Sequence, residues 1–182
     1  EAEWASDEFT QALALRMQAW YHTQRQIQAV LPKDLAAPAS DAFVEAVTFF
    51  LRVFLAKTAP HLRVAAERRM GTLRPDVSIL CGDKLVAVIE CKTNLGRSRK
   101  EWNADFADRE RKLCALSSAL RVFLLVLTSR NWPGFGDDPR CGQQLFTLLD
   151  CWPSDVALGD AVSPHLVNCI EPLFSEVAQL GR

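Results

Sequence analysis

The sequence predicts an α/β protein: a central mixed sheet of about four strands flanked by helices, in the order αβββαβ, with extra helices at the N- and C-terminal ends. Two observations carry this. Apolar residues recur at helical spacing up to Pro60, and beyond it the pattern changes to short apolar or β-branched runs bounded by Gly, Pro, Asp and Asn. Two of those runs, Leu85–Ile89 and Val122–Leu127, are apolar at every position. Strands apolar on both faces belong inside a sheet covered by helices on both sides.

Taken in order, a first helix is expected over about 6–31, capped by Ser6 or Asp7, with Phe9, Leu13, Met17, Trp20, Ile27 and Val30 at mostly helical spacing. Pro32 stops it. Ser40 or Asp41 caps a second helix running to about Ala56, whose Phe43, Val47, Phe50, Leu51 and Phe54 make a core-facing stripe. Strands follow at Leu62–Arg68, Asp76–Leu80 and Leu85–Lys92. An amphipathic helix over about Lys100–Leu120 then crosses to a fourth strand, Val122–Thr128. The remainder reads as loops, a short segment near Leu145–Leu149 and a last helix near Leu166–Leu180.

The chain of 182 residues, 49% hydrophobic, is sufficient for one domain with a real core. We expect a single domain over 1–182, with its core at about 41–129 and a C-terminal helical segment at about 140–180. No run approaches the roughly 20 apolar residues of a membrane helix, and the first residues lack a signal-peptide pattern. The expectation is a cytoplasmic protein with no membrane partner. Six cysteines, with no CxxC pair, signal neither a zinc site nor a disulfide framework and are expected as buried thiols. His22, His61 and His165 share no ligand spacing.

The net charge of −1 is unevenly distributed. His61–Arg130 holds 14 Lys/Arg against 8 Asp/Glu, net +6, and the rest holds 7 against 14, net −7. Within the basic stretch lies the one dense cluster of ionisable residues with a joint role: Arg74-Pro75-Asp76 and Glu90-Cys91-Lys92. Alternate strand residues share a face, so Glu90 and Lys92 project together and Cys91 points into the opposite layer. Asp76 joins them only if paired residue numbers in the hairpin sum to 166. A three-residue loop Gly82-Asp83-Lys84 gives that register, as does a bulge restoring the same parity. An unbulged two-residue turn sends Asp76 to the wrong face.

In that register the Asp76 and Glu90 carboxylates, with the Cys91 carbonyl oxygen, form a hard oxygen site suited to Mg²⁺ or Mn²⁺, and the Lys92 ammonium is placed to stabilise developing negative charge. Such a site suits phosphodiester hydrolysis.

These residues resemble the PD-(D/E)xK nuclease superfamily, which includes many restriction endonucleases and repair nucleases. Pro75-Asp76 matches the PD element and Glu90-Cys91-Lys92 the ExK element, 14 positions on. The likeness covers about Asp41 to Ser129, including the αβββαβ order. It implies a Mg²⁺- or Mn²⁺-dependent nuclease acting on DNA, an endonuclease before an exonuclease, with Asp76, Glu90 and Lys92 as its catalytic residues; symmetry alone adds a homodimer as a means of cutting both strands. It also implies an acid from the helix before the sheet, for which Glu45 is the positional candidate and Glu67 on the first strand the alternative. From the helix after ExK it implies a polar residue, Asn103. Arg74, Arg97, Arg99 and Lys100, with Arg68, Arg69 and Arg109, are candidates for phosphate contacts. A nucleic-acid-binding or assembly module on the same fold is the second reading, and a structural ion pair among Asp76, Glu90 and Lys92 the third.

Overall fold

A computed structural model describes residues 8–31, 39–96 and 99–180. Helix α1 (Glu8–Gln28) and helix α2 (Ala39–Thr58) precede strands β1 (Leu62–Ala66), β2 (Val77–Cys81) and β3 (Lys84–Lys92). Helix α3 (Arg99–Cys114) leads to β4 (Arg121–Thr128), then β5 (Leu145–Leu149) and helix α4 (Glu171–Gln179), with short 3₁₀ turns at Pro133–Asp137, Pro153–Asp155 and Ser163–His165. From α2 to β4 the order is αβββαβ, as expected.

The sheet is mixed and has five strands in the spatial order β1-β2-β3-β4-β5. β1–β2 and β2–β3 pair antiparallel, while β3–β4 and β4–β5 pair parallel. The fifth strand corrects the expected four. Leu145–Leu149 is buried at every position, and its five residues are too few for the alternation of a half-buried strand to identify it in sequence.

Alternation along the central strands divides the core in two. Phe123, Leu125 and Leu127 pack with Ile89, Cys91, Phe146 and the buried faces of α1, α2 and α4. Val122, Leu124 and Val126 pack with Val88 on the other side, against Trp102, Phe106 and Leu113 of α3 and Phe135. The purely apolar strands therefore serve two cores.

Three boundaries differ from expectation. α3 ends at Cys114 rather than near Leu120, because Ser117 and Ser118 favour turns and Leu120 N–H bonds Ser117 O at 3.1 Å. The C-terminal segment is not helical from 140: Leu166 bridges Leu149, and α4 begins only at Glu171, where Pro172 sits in the first helical turn. Ser40 and Asp41 lie inside the first turn of α2, which begins at Ala39. Ser6 and Asp7 lie outside the described residues.

Gly82-Asp83 is a two-residue turn, with Gly82 at φ +58°, a conformation that glycine adopts without a Cβ penalty. Next to it Cys81 pairs with Lys84 and Leu80 with Leu85, whose numbers sum to 165. A bulge at Val86 shifts the register, so Ile79↔Ala87, Ser78↔Val88 and Val77↔Ile89 sum to 166. The three-residue loop is absent; the bulge restores the parity that Asp76 requires.

Candidate functional site

The bulge decides which residues meet. With Val77 opposite Ile89, continuing the register by one residue puts Asp76 opposite Glu90. Glu90 pairs with Leu124 of β4 and shares the face of Val88, so its side chain enters the layer of α3. Cys91 faces the other core, as alternation requires.

Asp76, Glu90 and Lys92 line one cleft of about 640 Å³, together with Glu67, Asp105 and Arg109. Asp76 is half-buried, and its Oδ2 accepts a hydrogen bond from Cys91 N–H at 2.8 Å, which ties the PD strand to the ExK strand. Glu90 is 1% exposed. Lys92, at the strand end, is exposed, and among the described residues no ion pair within 4.0 Å includes it. Reading Asp76, Glu90 and Lys92 as a closed structural ion pair therefore does not describe the cleft.

Glu90 instead meets Arg109 of α3, whose Nε lies 2.6 Å from Glu90 Oε2. The Nε–H does not point along that contact, and among the described residues neither Glu90 oxygen accepts an aligned hydrogen bond. A terminal nitrogen of Arg109 donates to Arg74 O at 2.8 Å, which anchors the guanidinium between the two motif strands. Burial, and then the neighbouring Asp76 charge, raise the Glu90 carboxyl above its ordinary 4.5; Arg109 and Lys92 oppose the rise. Burial pushes the Cys91 thiol well up. It is therefore a neutral thiol at neutral pH.

Glu45 is not brought to this cleft. Its exposed carboxylate pairs with Arg16 of α1 at 2.5 Å, because helical geometry turns it away from the Phe43/Val47 stripe. Glu67 does line the cleft, one residue past β1, at φ +50°, a left-handed conformation uncommon for a residue with a side chain. Its N–H donates to Asp76 O at 2.9 Å, and its carboxylate pairs with Arg74 at 2.5 Å. Of the phosphate candidates, Arg74 is thus engaged, while Arg68 and Arg69 are exposed. Arg99 and Lys100 open α3, but their side chains, like all of Arg97, lie outside the described residues. Asn103 is exposed and accepts from Arg140 at 2.8 Å.

Trp102 is buried and packs against Trp132 and Phe135 at centroid distances of 5.1 and 5.5 Å, as part of the core on the α3 side of the sheet. Its Nε1–H, at the cleft wall, has no hydrogen-bond partner among the described residues. Sequence reasoning placed Arg109 among the phosphate candidates but missed its contact with Glu90. Its position three residues after Phe106 puts the two on neighbouring faces of α3, which is the signal that was available.

The donor set fits a hard cation. Two carboxylates converge on the cleft, and one presents buried oxygens with no aligned hydrogen bond. Asp76, Glu90 and Glu67 do not form a preassembled trio, however: no three acidic, thiol or imidazole groups at this cleft have ligand atoms within 4.8 Å of one another among the described residues.

No family model matches the chain, and neither a curated protein nor a solved structure does so. No helix among the described residues is long and apolar enough to cross a membrane.

Proposed function

We propose that the protein is a divalent-metal-dependent phosphodiesterase acting on nucleic acid, with DNA as its substrate, on a restriction endonuclease-like fold. The observation that carries this reading is that a bulge brings Asp76, Glu90 and Lys92 to one cleft, with Glu90 buried against Arg109. Glu90 is a buried acid on an otherwise apolar strand, held ionisable by Arg109 alone among close ion-pair partners of the described residues, and burying a charge is unfavourable enough that its place there calls for a function.

Asp76, Glu90 and the Cys91 carbonyl would hold Mg²⁺ or Mn²⁺. When bound, the cation supplies charge neutralisation at the phosphate and a more acidic water. Arg109 opposes the upward shift that burial imposes on Glu90 and so favours the carboxylate, which is the form that a hard cation needs. Cys91 N–H fixes the Asp76 carboxylate toward β3. Lys92, exposed at the strand end and with no ion-pair partner among the described residues, carries an ammonium able to stabilise negative charge developing on the phosphate. Glu67 replaces Glu45 as the additional acid. The excess of basic residues between His61 and Arg130 supplies sequence-independent attraction to the backbone, and a dimer would place two such clefts on one duplex.

One observation favours a second reading, a nucleic-acid-binding module without hydrolysis: Arg109 already neutralises Glu90 at 2.6 Å. A plasmid-cleavage assay separates the two. With Mg²⁺ or Mn²⁺ the protein is expected to nick or linearise DNA, and EDTA, Asp76→Ala or Lys92→Ala to abolish cutting. Binding without cleavage under all metals selects the module, and equal cutting by all variants identifies a contaminant.

A further inference from the structure

Away from the cleft, the chain leaves β5 at Leu149 and returns beside it. Leu166 bridges Leu149 antiparallel, Asp150 N–H donates to His165 O at 3.0 Å, Val167 N–H to Leu148 O at 2.9 Å and Asn168 N–H to Thr147 O at 3.0 Å. This short ladder fixes Asp150 against His165, whose Nδ1 lies 3.0 Å from Asp150 Oδ1. Cys151, the next residue, is buried at 6% exposure. One ligand atom each from Asp150, Cys151 and His165 lies within 4.8 Å of the other two, the one such trio found among the described residues.

We propose that Asp150, Cys151 and His165 form a transition-metal site, with Zn²⁺ as the best-matched ion. Thiolate, imidazole and carboxylate are the donors that Zn²⁺ favours, whereas Mg²⁺ and Ca²⁺ do not select sulfur. Tetrahedral zinc with bonds of about 2.0–2.3 Å sets its ligand atoms roughly 3.3–3.8 Å apart. The trio needs only side-chain adjustment to reach that spacing, since its backbone is already held by the ladder. Coordination releases the Cys151 thiol proton to solvent and leaves a fourth position for water.

The site's position suggests what it holds. Cys151 and His165 begin and end the segment that docks on α1, where Gln18 donates to Ala157 O at 2.8 Å, His22 Nε2 to Val156 O at 2.8 Å and Arg25 to Ser154 O at 3.0 Å. A metal there clips the base of that segment and fixes its docked form. This role is independent of hydrolysis at the other cleft.

Co²⁺, a spectroscopic stand-in for Zn²⁺, provides the test. Titration of the intact chain is expected to give one equivalent of tetrahedral d–d bands with a thiolate-to-cobalt charge-transfer band, both displaced by Zn²⁺. Cys151→Ser, which keeps the other five cysteines, is expected to remove the charge-transfer band, and His165→Gln to weaken affinity at least about tenfold. Circular dichroism checks that each variant folds; should Cys151→Ser not fold, His165→Gln, at a half-exposed position, decides. A charge-transfer band that survives Cys151→Ser, unchanged affinity in His165→Gln, or no band at all overturns the site.

Discussion

Replacing Arg109 by alanine leaves the buried Glu90 carboxylate beside no positive group as close as the guanidinium at 2.6 Å. Breaking a fully buried pair costs about 3–5 kcal/mol, but the Arg109 side chain is 33% exposed and partly screened, so about 2–3 kcal/mol is expected at pH 7. For a chain of 182 residues that lowers the melting temperature by about 5–10 °C. Urea unfolding and thermal melts of Arg109→Ala, Glu90→Gln and the double variant measure it. The double variant is expected to be more stable than Arg109→Ala alone, because glutamine removes the orphaned charge. Saturating Mg²⁺ is expected to offset most or all of the Arg109→Ala loss, since binding at a hundredfold excess over Kd adds about 2.7 kcal/mol. A loss under about 0.5 kcal/mol in Arg109→Ala, or a double variant no more stable than the single one, refutes the reasoning.

Two further outcomes follow from the same cleft. Glu67→Ala is expected to reduce DNA cleavage at least about tenfold while Glu45→Ala stays within twofold of wild type, measured by initial rates at saturating Mg²⁺; the reverse order would return the extra acid to α2. Because the folded Glu90 pKa is raised, its protonated form is the one that folding favours. Its contribution is complete below the ordinary value of 4.5 and is lost as pH rises through the raised value, so wild type loses stability relative to Glu90→Gln across that window. Cation binding, which needs the carboxylate, strengthens over the same window, and parallel melts and calorimetric titrations at stepped pH check both signs.

Much of the framework is legible in the sequence, because the two all-apolar runs admit few alternatives to central strands. The parity of Asp76 with Glu90 was also legible, but not how it is achieved: a loop and a bulge serve it equally, and Val86 carries no residue-type mark of a bulge. The acid at the site was not fixed by pattern. Glu45 has the right place on α2, yet its azimuth faces Arg16, whereas Glu67 reaches the cleft through a left-handed backbone that no periodicity encodes. Arg109 and the Asp150–His165 pair depend on how α3 and the returning C-terminal segment dock, and both are contacts between residues far apart in the chain.

The central claim is that the Asp76 and Glu90 carboxylates share one divalent ion. Titrating Mn²⁺ against the wild type, Asp76→Asn and Glu90→Gln, with free Mn²⁺ read by electron paramagnetic resonance and Cys151→Ser as the common background, tests it without reliance on turnover. One bound ion in the parent, weakened by at least about tenfold in each single variant, is the predicted result. Equal Mn²⁺ binding by all three proteins would contradict it.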